Sequence, residues 1–591
     1  MRGGARPDTS RARLRGWFVG EEPDSRARGV WLLGAFAAMA VILFGRLVDV
    51  QLREGRHLAA MAAEQHQIAA VLHAHRGRIL DRDGRLLAGD VQVYAIFADP
   101  GIISENQRSV VAAKLAPILR LGPGRIQSLI DSPNRFVYLA HGVSETVKQQ
   151  LDQLDLPGVG TLPEEQRVYG ASPVPNGSFA ANLLGYVNHD GHGQYGVEGY
   201  YDSLLRGTDG KVSTLRDLAG NAIVLSREQR QDPQNGRDLH LGIDSQIQYW
   251  SEQALARAVV NDQAESGTLM VMDTHTGAIR AWADYPSYDS NHFGTSNVGA
   301  FKDSAVSDLY EPGSVMKVVT FAGALDRGAI TPDLTINESQ QTIDGFLIHD
   351  WDNHGHGTVS MQYVLEQSLN NGAIDVMRRT GEGPFYTNML AFGLGAPTGI
   401  DLAGEVKQPL PPERSLHPAD FAVQSFGQGI QVTPVEMFSA VNAIGNGGVW
   451  VQPHVVESTV NPDTGDATPV VPTTRRVISA PTAATLTHMM TGVVEGYASH
   501  GPSGFAAKIP AFKGQVAGKT GTASVPVNGR YSGDVIASFV GFLPASDPQF
   551  TMMVVIRKPH KCSPACEGAY LAAPVWKQMA QLMVDHWKIV P

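Results

Sequence analysis

Residues 516–524 of this chain are V-A-G-K-T-G-T-A-S, a strand-like run that contains a Lys-Thr-Gly-Thr sequence. Other strand-like runs lie on both sides of a long middle region, in which helical patterns dominate up to about residue 445. Strands at both ends of a helical middle predict an α/β sandwich of the α+β class, with an antiparallel sheet and a helical subdomain. The predicted strands are at 267–272, 278–283, 516–524, 537–543 and 550–556, and the predicted helices that flank them are at 243–259 and 571–589.

The Lys-Thr-Gly-Thr sequence is the first candidate for chemistry. Alternation along a strand puts Lys519 and Gly521 on one face and Thr520 and Thr522 on the other. Gly521 leaves room for a substrate backbone to lie along the strand edge. A phosphate-binding loop would need glycine at position 513, where Lys513 stands, so no nucleotide site is predicted.

The second candidate is S-V-M-K at 314–317, which follows E-P-G at 311–313. Proline and glycine are common at a helix entry, so Ser314 is predicted in the first turn of a helix. The spacing of three positions places Ser314 and Lys317 on one helix face. A serine hydroxyl becomes a nucleophile when a base takes its proton, and a lysine whose pKa is lowered can be that base. The helix N-terminus offers free backbone N–H groups to a developing oxyanion.

The third candidate is Ser368-Leu369-Asn370, within V-L-E-Q-S-L-N-N-G. Ser368 can relay a proton between the lysine and a leaving amine, and Asn370 can hold a substrate amide. A helix C-terminus that ends at Gly372 would explain the same residues equally well.

The three sequences together predict an acyl-serine enzyme. S-x-x-K, S-x-N and K-T-G in this order are the set described for penicillin-binding proteins and β-lactamases. Their separation in the chain predicts that three different elements converge on one cleft. As a second cation in that cleft, Lys519 is expected to lower the pKa of Lys317 and to attract a carboxylate.

Two other polar clusters are predicted to be ordinary loops. His354 and His356 lie in D-N-H-G-H-G, and because no carboxylate or cysteine pattern completes a metal site there, a glycine-rich loop is favoured. Asp350 and Asp352 are predicted to be solvated loop carboxylates. The sequence therefore assigns no chemistry to this stretch.

An uncharged, mostly apolar run occupies residues 29–45, between Arg28 and Arg46. A helix extended through Val48 is just long enough to cross a bilayer core of about 30 Å. The first 28 residues hold seven arginines and four acids, which predicts a cytoplasmic N-terminus and an exported body. A cleaved signal peptide is the alternative, since A-M-A at 38–40 imitates a cleavage site.

The length, composition and charge of the chain limit the number of domains and the classes of partner that it can have. The chain has 591 residues, 43% of them hydrophobic, which is enough for several domains. Its formal net charge is -11 and it has no long basic run, so no nucleic-acid partner is predicted.

The breaker cluster Q-D-P-Q-N-G at 231–236 is the candidate domain boundary. The two cysteines, Cys562 and Cys566, lie four positions apart, and both a local disulfide and two free thiols remain open.

The resemblance to class B penicillin-binding proteins extends beyond the three sequences. Residues 76–84, R-G-R-I-L-D-R-D-G, resemble the signature that opens the pedestal domain of that family, with Asp83-Gly84 as a hairpin turn. Gly196-Val197-Glu198-Gly199 and Arg216-Asp217 resemble the two other pedestal blocks. Further similar segments are Y-P-S-Y-D at 285–289, F-G-Q-G at 426–429 and A-A-P-V at 572–575.

Within the family, the chain resembles most the cell-division (septal, penicillin-binding protein 3) type. The elongation type is the alternative, and a β-lactamase or β-lactam sensor with the same three sequences is a more distant one. A non-catalytic scaffold is a further alternative, and the intact set of three sequences argues against it. The chain departs from the family where Asp303-Ser304-Ala305 replaces the usual Asn-Arg-Ala, and where Leu369 replaces a smaller residue.

The resemblance implies a division of the chain into four segments. They are a cytoplasmic tail at 1–28, a transmembrane helix at 29–50, an α+β pedestal (dimerisation) domain at 51–235 and a transpeptidase domain at 236–591. It also implies a single-pass protein of the inner (plasma) membrane, with its bulk in the periplasm and located at the division septum.

The implied activity is that of a serine-type D-Ala-D-Ala transpeptidase, which cross-links peptidoglycan stem peptides through an acyl-serine intermediate. No metal or organic cofactor is implied, and penicillins would acylate the serine as substrate mimics. The implied partners are stem peptides on lipid II-derived glycan strands, β-lactams, a polytopic membrane glycosyltransferase and divisome proteins. The implied site residues are Ser314, Lys317, Ser368, Asn370 and Lys519 for catalysis, Thr520, Gly521 and Thr522 for substrate binding, and the backbone N–H groups of Ser314 and Thr522 for the oxyanion hole.

Overall fold

The computed structural model describes residues 25–54, 67–215, 229–527 and 529–591. Contacts divide the chain into two compact units. The smaller unit contains residues 1–73 and 209–233, and the larger contains residues 74–208 and 234–591.

The smaller unit contains the segment that was predicted to cross the membrane. It forms the helix Ser25–Asp49, which continues as a π-helical turn at Val50–Glu54. The stretch Arg28–Arg53 reaches a mean hydropathy of 2.0, and protein buries none of its most apolar window, so its length and composition suffice to cross a bilayer. A three-stranded antiparallel sheet also belongs to this unit, in the order Gln67–Leu72, Gly210–Leu215, Gln229–Gln231. The tail residues 1–24 and the predicted pedestal block Arg216-Asp217 lie outside the described residues.

The larger unit begins with the predicted hairpin. Ile79–Leu80 and Leu86–Ala98 pair in antiparallel fashion around Asp83-Gly84, and Gly84 has a φ of 81°, which suits glycine. The buried Asp81 carboxylate accepts two backbone N–H groups of the turn and thereby fixes it. The hairpin prediction is therefore confirmed.

This hairpin lies within a seven-stranded sheet. Asp238–Leu241, just beyond the predicted boundary at 235/236, pairs in parallel with Ile79–Leu80, so the sheet continues across that point. The division of the chain there stays a prediction. The helices Glu105–Leu119, Pro123–Ile130 and Glu145–Asp152 pack around a core that includes Ile96 and Leu115. The strand order is Ala467–Pro469, Val456–Val460, Asp238–Leu241, Ile79–Leu80, Leu86–Ala98, Val137–Val143, and Val159–Tyr169 also pairs with Leu86–Ala98.

Buried ion pairs join the first two pedestal blocks. Arg76 donates hydrogen bonds of 2.9 and 2.6 Å to one carboxylate oxygen of Glu198, and another of 2.9 Å to Asp202. Arg167 donates to the second oxygen of Glu198 at 2.8 Å. Because Glu198 is fully buried, these donors are needed to offset the loss of its hydration. The ion pairs thus explain why the two blocks carry an arginine and a glutamate.

The predicted sandwich is confirmed in the C-terminal part of the larger unit. Its centre is a five-stranded antiparallel sheet, and alternate residues of each strand face opposite layers. Leu269 and Val271 pack with the helices Ser245–Asn261 and Ala572–Trp587, whereas Met270 and Met272 face the helical subdomain. The strand order is Ile279–Tyr285, Ser266–Asp273, Phe550–Arg557, Arg530–Leu543, Ala517–Val527.

Helices fill the middle region as predicted, although two short hairpins interrupt them. The hairpins pair Thr335–Glu338 with Gly357–Ser360, and Gln341–Ile343 with Phe346–Ile348. Two more small pairs are Tyr186–Val187 with Gly193–Gln194 and Val449–Val451 with Thr474–Arg476. The main helices of the subdomain are Met316–Asp326, Met361–Gln367, Asn370–Thr380, Glu382–Ala391, Pro418–Gln424, Pro434–Gly445 and Ala480–Glu495. The shorter helical segments of the larger unit are Ala181–Leu184, Gly196–Tyr200, Asp202–Arg206, Ser290–Thr295, Val298–Phe301, Ser304–Ser307, Gly313–Val315, Glu413–Ser415, Phe505–Ala507 and Pro510–Phe512.

The two cysteines pair with each other. Cys562 and Cys566 form a disulfide across the loop between the strand Phe550–Arg557 and the last helix, with their Cα atoms 5.0 Å apart. Of the two possibilities that the sequence left open, the structure therefore has the local disulfide.

Candidate active site

Ser314 lies in a tight turn just before a helix. Gly313–Val315 forms a 3-10 turn, and the α-helix Met316–Asp326 continues from it, so the helix entry was predicted to within one turn. Ser314 is half-buried at the cleft, whereas Lys317 is completely buried one turn further on.

Ser368 lies at the junction of two helices. Met361–Gln367 ends there because Ser368 takes a left-handed conformation with a φ of 59°, and the next helix, Asn370–Thr380, begins two residues later. The alternative of a helix that ends at Gly372 is therefore wrong, since Gly372 lies in the first turn of the following helix. The sharp change of direction brings Ser368 and Asn370 to the cleft.

Lys519 lies on the edge strand Ala517–Val527 of the five-stranded sheet and is completely buried. Its amine donates to Ser368 Oγ at 2.8 Å, and to the carbonyl and hydroxyl oxygens of Thr520 at 3.0 and 3.2 Å. The Lys317 amine donates to the same Ser368 Oγ at 3.3 Å, to the Ser368 carbonyl, and to Asn370 Oδ1 at 2.9 Å. Three distant sequences thus meet at one serine hydroxyl.

Burial makes Lys317 a much weaker base than an ordinary lysine. It lowers the pKa of Lys317 to about 7, and the charge of Asp350 opposes this effect. Burial, and then the charge of Lys317, hold the pKa of Lys519 well below its usual range. The sequence predicts that the charge of Lys519 lowers the pKa of Lys317. In the structure, the main cause of the lowered pKa of Lys317 is instead its desolvation.

The cleft beside these residues has a volume of about 280 Å³. Ser314 and Ser368 line it together with Thr520 and Thr522, which face the same side of the strand as alternation predicts. Because Ala517–Val527 is the last strand of its sheet, one edge of this strand is available for a peptide that adds as a further strand.

Three glycines allow the serine turn and the strand to approach each other. A Cβ atom on Gly313 would lie 2.7 Å from the Thr522 carbonyl oxygen, and one on Gly427 would lie 2.1 Å from the Gly313 carbonyl oxygen. A Cβ atom on Gly521 would lie 2.3 Å from Ser538 Oγ and 2.9 Å from Val315. These distances exclude larger side chains unless the turn and the strand move apart.

We therefore expect Gly521→Ala to impair the site. The added methyl group forces the strand away from the serine turn, so the rate of acylation by a penicillin should fall at least about tenfold, with a stability loss of about 1–3 kcal/mol. Gly533→Ala is the matched control, because a Cβ there meets nothing within 4 Å on the adjacent strand. Stopped-flow acylation and thermal unfolding of both variants check this prediction, and equal effects of the two substitutions would contradict it.

The structure corrects the prediction for Asp350. Rather than being solvated, it is only 3% exposed, and its carboxylate accepts hydrogen bonds from the backbone N–H groups of Asn370 and Asn371. Asp352 is half-buried and its carboxylate lies 3.3 Å from His356 Nε2. No local pattern marked Asp350, because its partners lie about twenty positions away in the chain.

Most of the aromatic lining of the cleft was not predictable from local sequence patterns. Trp351, Phe505 and Tyr570 line it in addition to Phe426, which lies within one of the similar segments. These side chains come from four separate loops or turns, and a single exposed aromatic residue carries no signal for a site.

The two departures from the family pattern lie outside the cleft lining. Leu369 is completely buried in the main core. Asp303 is also buried, where it accepts the backbone N–H of Ala305 and the Trp282 indole N–H at 3.0 Å. His354 and His356 lie in the predicted loop, and among the residues that the structure describes, no group of three or more potential ligands is arranged around a metal site.

Comparisons with known proteins identify the family of this chain. Family models for the penicillin binding protein transpeptidase domain and the penicillin-binding protein dimerisation domain match residues 267–581 and 71–241. The peptidoglycan D,D-transpeptidase FtsI of Escherichia coli is 30% identical over 551 residues, which cover 92% of this chain and 89% of that protein. Penicillin-binding protein PbpB of Mycobacterium tuberculosis is 32% identical over 569 residues, or 92% of this chain and 82% of that protein. A crystal structure of penicillin-binding protein 3 from the same organism, complexed with aztreonam, matches with a TM-score of 0.67 and 27% identity over 88% of this chain and 98% of that one.

Proposed function

Since this chain belongs to the class B penicillin-binding proteins, whose members are peptidoglycan D,D-transpeptidases, we propose that Ser314 is the nucleophile of its cross-linking reaction. Its substrate is peptidoglycan, and it binds β-lactams. One observation carries the assignment of the site: the amines of Lys317 and Lys519 both donate to Ser368 Oγ, at the cleft that Ser314 lines.

In the first half-reaction, Ser314 Oγ attacks the carbonyl carbon between the two terminal D-alanines of a stem peptide. The neutral amine of Lys317 takes the hydroxyl proton as the new C–O bond forms. The backbone N–H groups of Ser314 and Thr522 stabilise the resulting oxyanion. When the C–N bond breaks, the proton passes from Lys317 through Ser368 to the amine of the departing D-alanine.

In the second half-reaction, the amine of a neighbouring stem peptide attacks the acyl-serine carbonyl. That amine loses a proton to Ser368 and Lys317, and Ser314 regains its hydrogen as the C–O bond breaks. A new peptide bond between two stem peptides is the product.

Other residues of the cleft hold the substrate in place. Asn370 binds a backbone amide of the stem peptide, and the stem peptide lies along the strand edge at Gly521. The hydroxyl groups of Thr520 and Thr522, with the Lys519 amine behind them, bind the terminal carboxylate.

The pH dependence of acylation tests Lys317 as the base. Its pKa is about 7 because burial favours the neutral amine, and only the neutral amine can accept a proton. The rate of acylation by a penicillin is therefore expected to rise with pH through about 7 and to level off above it. Stopped-flow acylation between about pH 5.5 and about pH 8.5 measures this profile, and a rate that does not change over this range would rule out the assignment.

The cellular role that we propose is septal cell-wall synthesis, with side-wall elongation as the alternative. A match over 92% of this chain to a protein named FtsI supports the septal role. Depletion of the protein followed by microscopy is expected to give filamentous cells, because septa are no longer completed. Rounded cells would instead assign the protein to elongation.

We also propose how the chain lies in the membrane. The arginine-rich N-terminus stays in the cytoplasm, residues 29–50 cross the bilayer, and the pedestal and transpeptidase domains at 51–235 and 236–591 lie outside. The pedestal docks a polytopic membrane glycosyltransferase and other divisome proteins. Reporter fusions that are active only outside the cytoplasm should work after residue 591 and fail before residue 28.

A further inference from the structure

Asp350 fixes the start of the helix that carries the second motif. It lies between the strands Phe346–Ile348 and Gly357–Ser360 and is nearly completely buried. One carboxylate oxygen accepts the backbone N–H groups of Asn370 and Asn371, the latter at 3.2 Å. The other oxygen accepts the side-chain amide of Asn371 at 2.9 Å. A single carboxylate thus satisfies two of the N–H groups that are left free at the first turn of the helix Asn370–Thr380.

The same segment also holds the side chain of Asn370. Its amide nitrogen donates to the His349 carbonyl at 3.0 Å, which leaves the amide oxygen directed at the Lys317 amine, 2.9 Å away. The orientation of Asn370, and with it one of the contacts of Lys317, therefore depends on residues 349 and 350. Among the residues that the structure describes, Asp350 is the buried carboxylate that both bonds to Asn370, a partner of the Lys317 amine, and acts by its charge on Lys317.

Asp350 keeps its negative charge because its neighbours donate to it. Burial opposes ionisation, but the neighbouring Glu338 carboxyl group and hydrogen bonds from Asn371 and Asn370 hold the pKa of Asp350 below its usual range. Burial and the neighbouring carboxyl group of Asp350 raise the pKa of Glu338 above its usual range. The other charged or titratable groups around this network are Lys317 and Lys519 on the cleft side, and Asp352 and His356 beside Glu338.

We propose that Asp350 is a positioning residue for the acyl-transfer reaction: it holds the Ser368–Asn370 segment against Lys317 and supplies the negative charge that faces this buried amine. The inference rests on the proposed role of Lys317 as the base. A buried lysine without a nearby negative charge is a poor proton acceptor, because a base of very low pKa has little tendency to take the proton of a serine. The charge of Asp350 thus counteracts part of the decrease that burial causes in the pKa of Lys317.

The variant Asp350→Asn tests both parts of the proposal. It keeps the shape of the side chain but removes the charge, so the protonated form of Lys317 loses its main electrostatic support. The midpoint of the pH profile of acylation is expected to move to lower pH by roughly half a pH unit or more. The maximal rate is expected to fall about 10- to 100-fold, because Asn370 and Ser368 are held less firmly. A residue with a merely structural role would lower the rate and leave the midpoint unchanged.

A second variant separates charge from geometry. Asp350→Glu keeps the negative charge but misplaces it by one methylene group, so we expect a lower maximal rate with the midpoint of the wild type. If Asp350→Asn yields no folded protein, the test rests on Asp350→Glu. A wild-type acylation rate in Asp350→Glu would overturn the proposal. Asp333→Asn is the matched control: the same charge is removed at an exposed position just before the strand Thr335–Glu338, and both rate and midpoint should stay as in the wild type.

The experiment distinguishes this inference from the proposed function. If the wild-type protein is not acylated, or is acylated without any pH dependence, the assignment of Ser314 or of Lys317 fails. If the wild type shows the expected profile and Asp350→Asn shows the same midpoint, only the role of Asp350 is overturned. Thermal unfolding of each variant confirms that folded proteins are compared.

Discussion

The variant Ser314→Ala is expected to form no covalent adduct with a fluorescent penicillin, whereas the wild-type protein becomes labelled and stays labelled. The reason is chemical: without the hydroxyl oxygen at this position, the strained carbonyl of the β-lactam has no nucleophile to acylate. Ser314 is half-buried at the cleft, and removal of one oxygen atom there should change the free energy of unfolding by about 1 kcal/mol or less. The loss of labelling should therefore be complete in a protein that remains folded.

Gel fluorescence after incubation, together with thermal unfolding, measures this effect. Ser304→Ala is the control, because Ser304 also begins a short helix, Ser304–Ser307, but lies outside the cleft lining. Labelling that persists in Ser314→Ala would disprove the proposed nucleophile. The wild-type experiment is informative as well, since rapid release of the label by hydrolysis would point to a β-lactamase instead.

The variant Lys317→Met should lose most of its activity without losing its fold. Methionine can fill the space of the buried lysine stem, but it cannot take a proton from Ser314. General base catalysis contributes about 10²- to 10⁴-fold, so we expect the acylation rate to fall about 10³-fold. The free energy of unfolding should change by about 2 kcal/mol or less, because removal of the desolvated amine is offset by the loss of its hydrogen bonds to Ser368 and Asn370.

The pH profile separates this explanation from simple damage to the site. The residual acylation of Lys317→Met should show no inflection near pH 7, since the group that titrates there is absent. Lys148→Met is the control, because Lys148 pairs with Asp152 in the pedestal at 2.7 Å. An inflection that survives in Lys317→Met would show that another group is the base.

The strands and turns that were predicted correctly are those that local sequence patterns indicate. Short, mostly apolar runs predicted the strands at 267–272 and 550–556, and the structure extends each by only one or two residues, to Ser266–Asp273 and Phe550–Arg557. The turn at Asp83-Gly84 was predicted for a similar reason, since glycine there adopts a positive φ. Such features depend on neighbours in the chain, which the sequence displays directly.

The helix boundary at the second motif was not predictable in this way. Ser368 has a left-handed backbone conformation, which serine rarely adopts, and contacts from elements remote in the chain, those of Lys317 and Lys519 with Ser368 and of Asp350 with Asn370, surround it. Residues 368–372 therefore look locally like a helix end followed by a loop. Tertiary contacts convert them into the junction of two helices.

The type of chemistry could be predicted from the order of a serine, two lysines and a glycine-containing strand along the chain, because residue identity and order are covalent properties. How these groups affect one another could be learned only from their positions in the fold. Burial, rather than a second charge, lowers the pKa of Lys317 to about 7, and a loop carboxylate twenty positions from the second motif accepts backbone N–H groups at the start of the helix that follows Ser368. Both effects depend on distance and solvent exclusion between segments that are remote in the chain, and no local pattern records them.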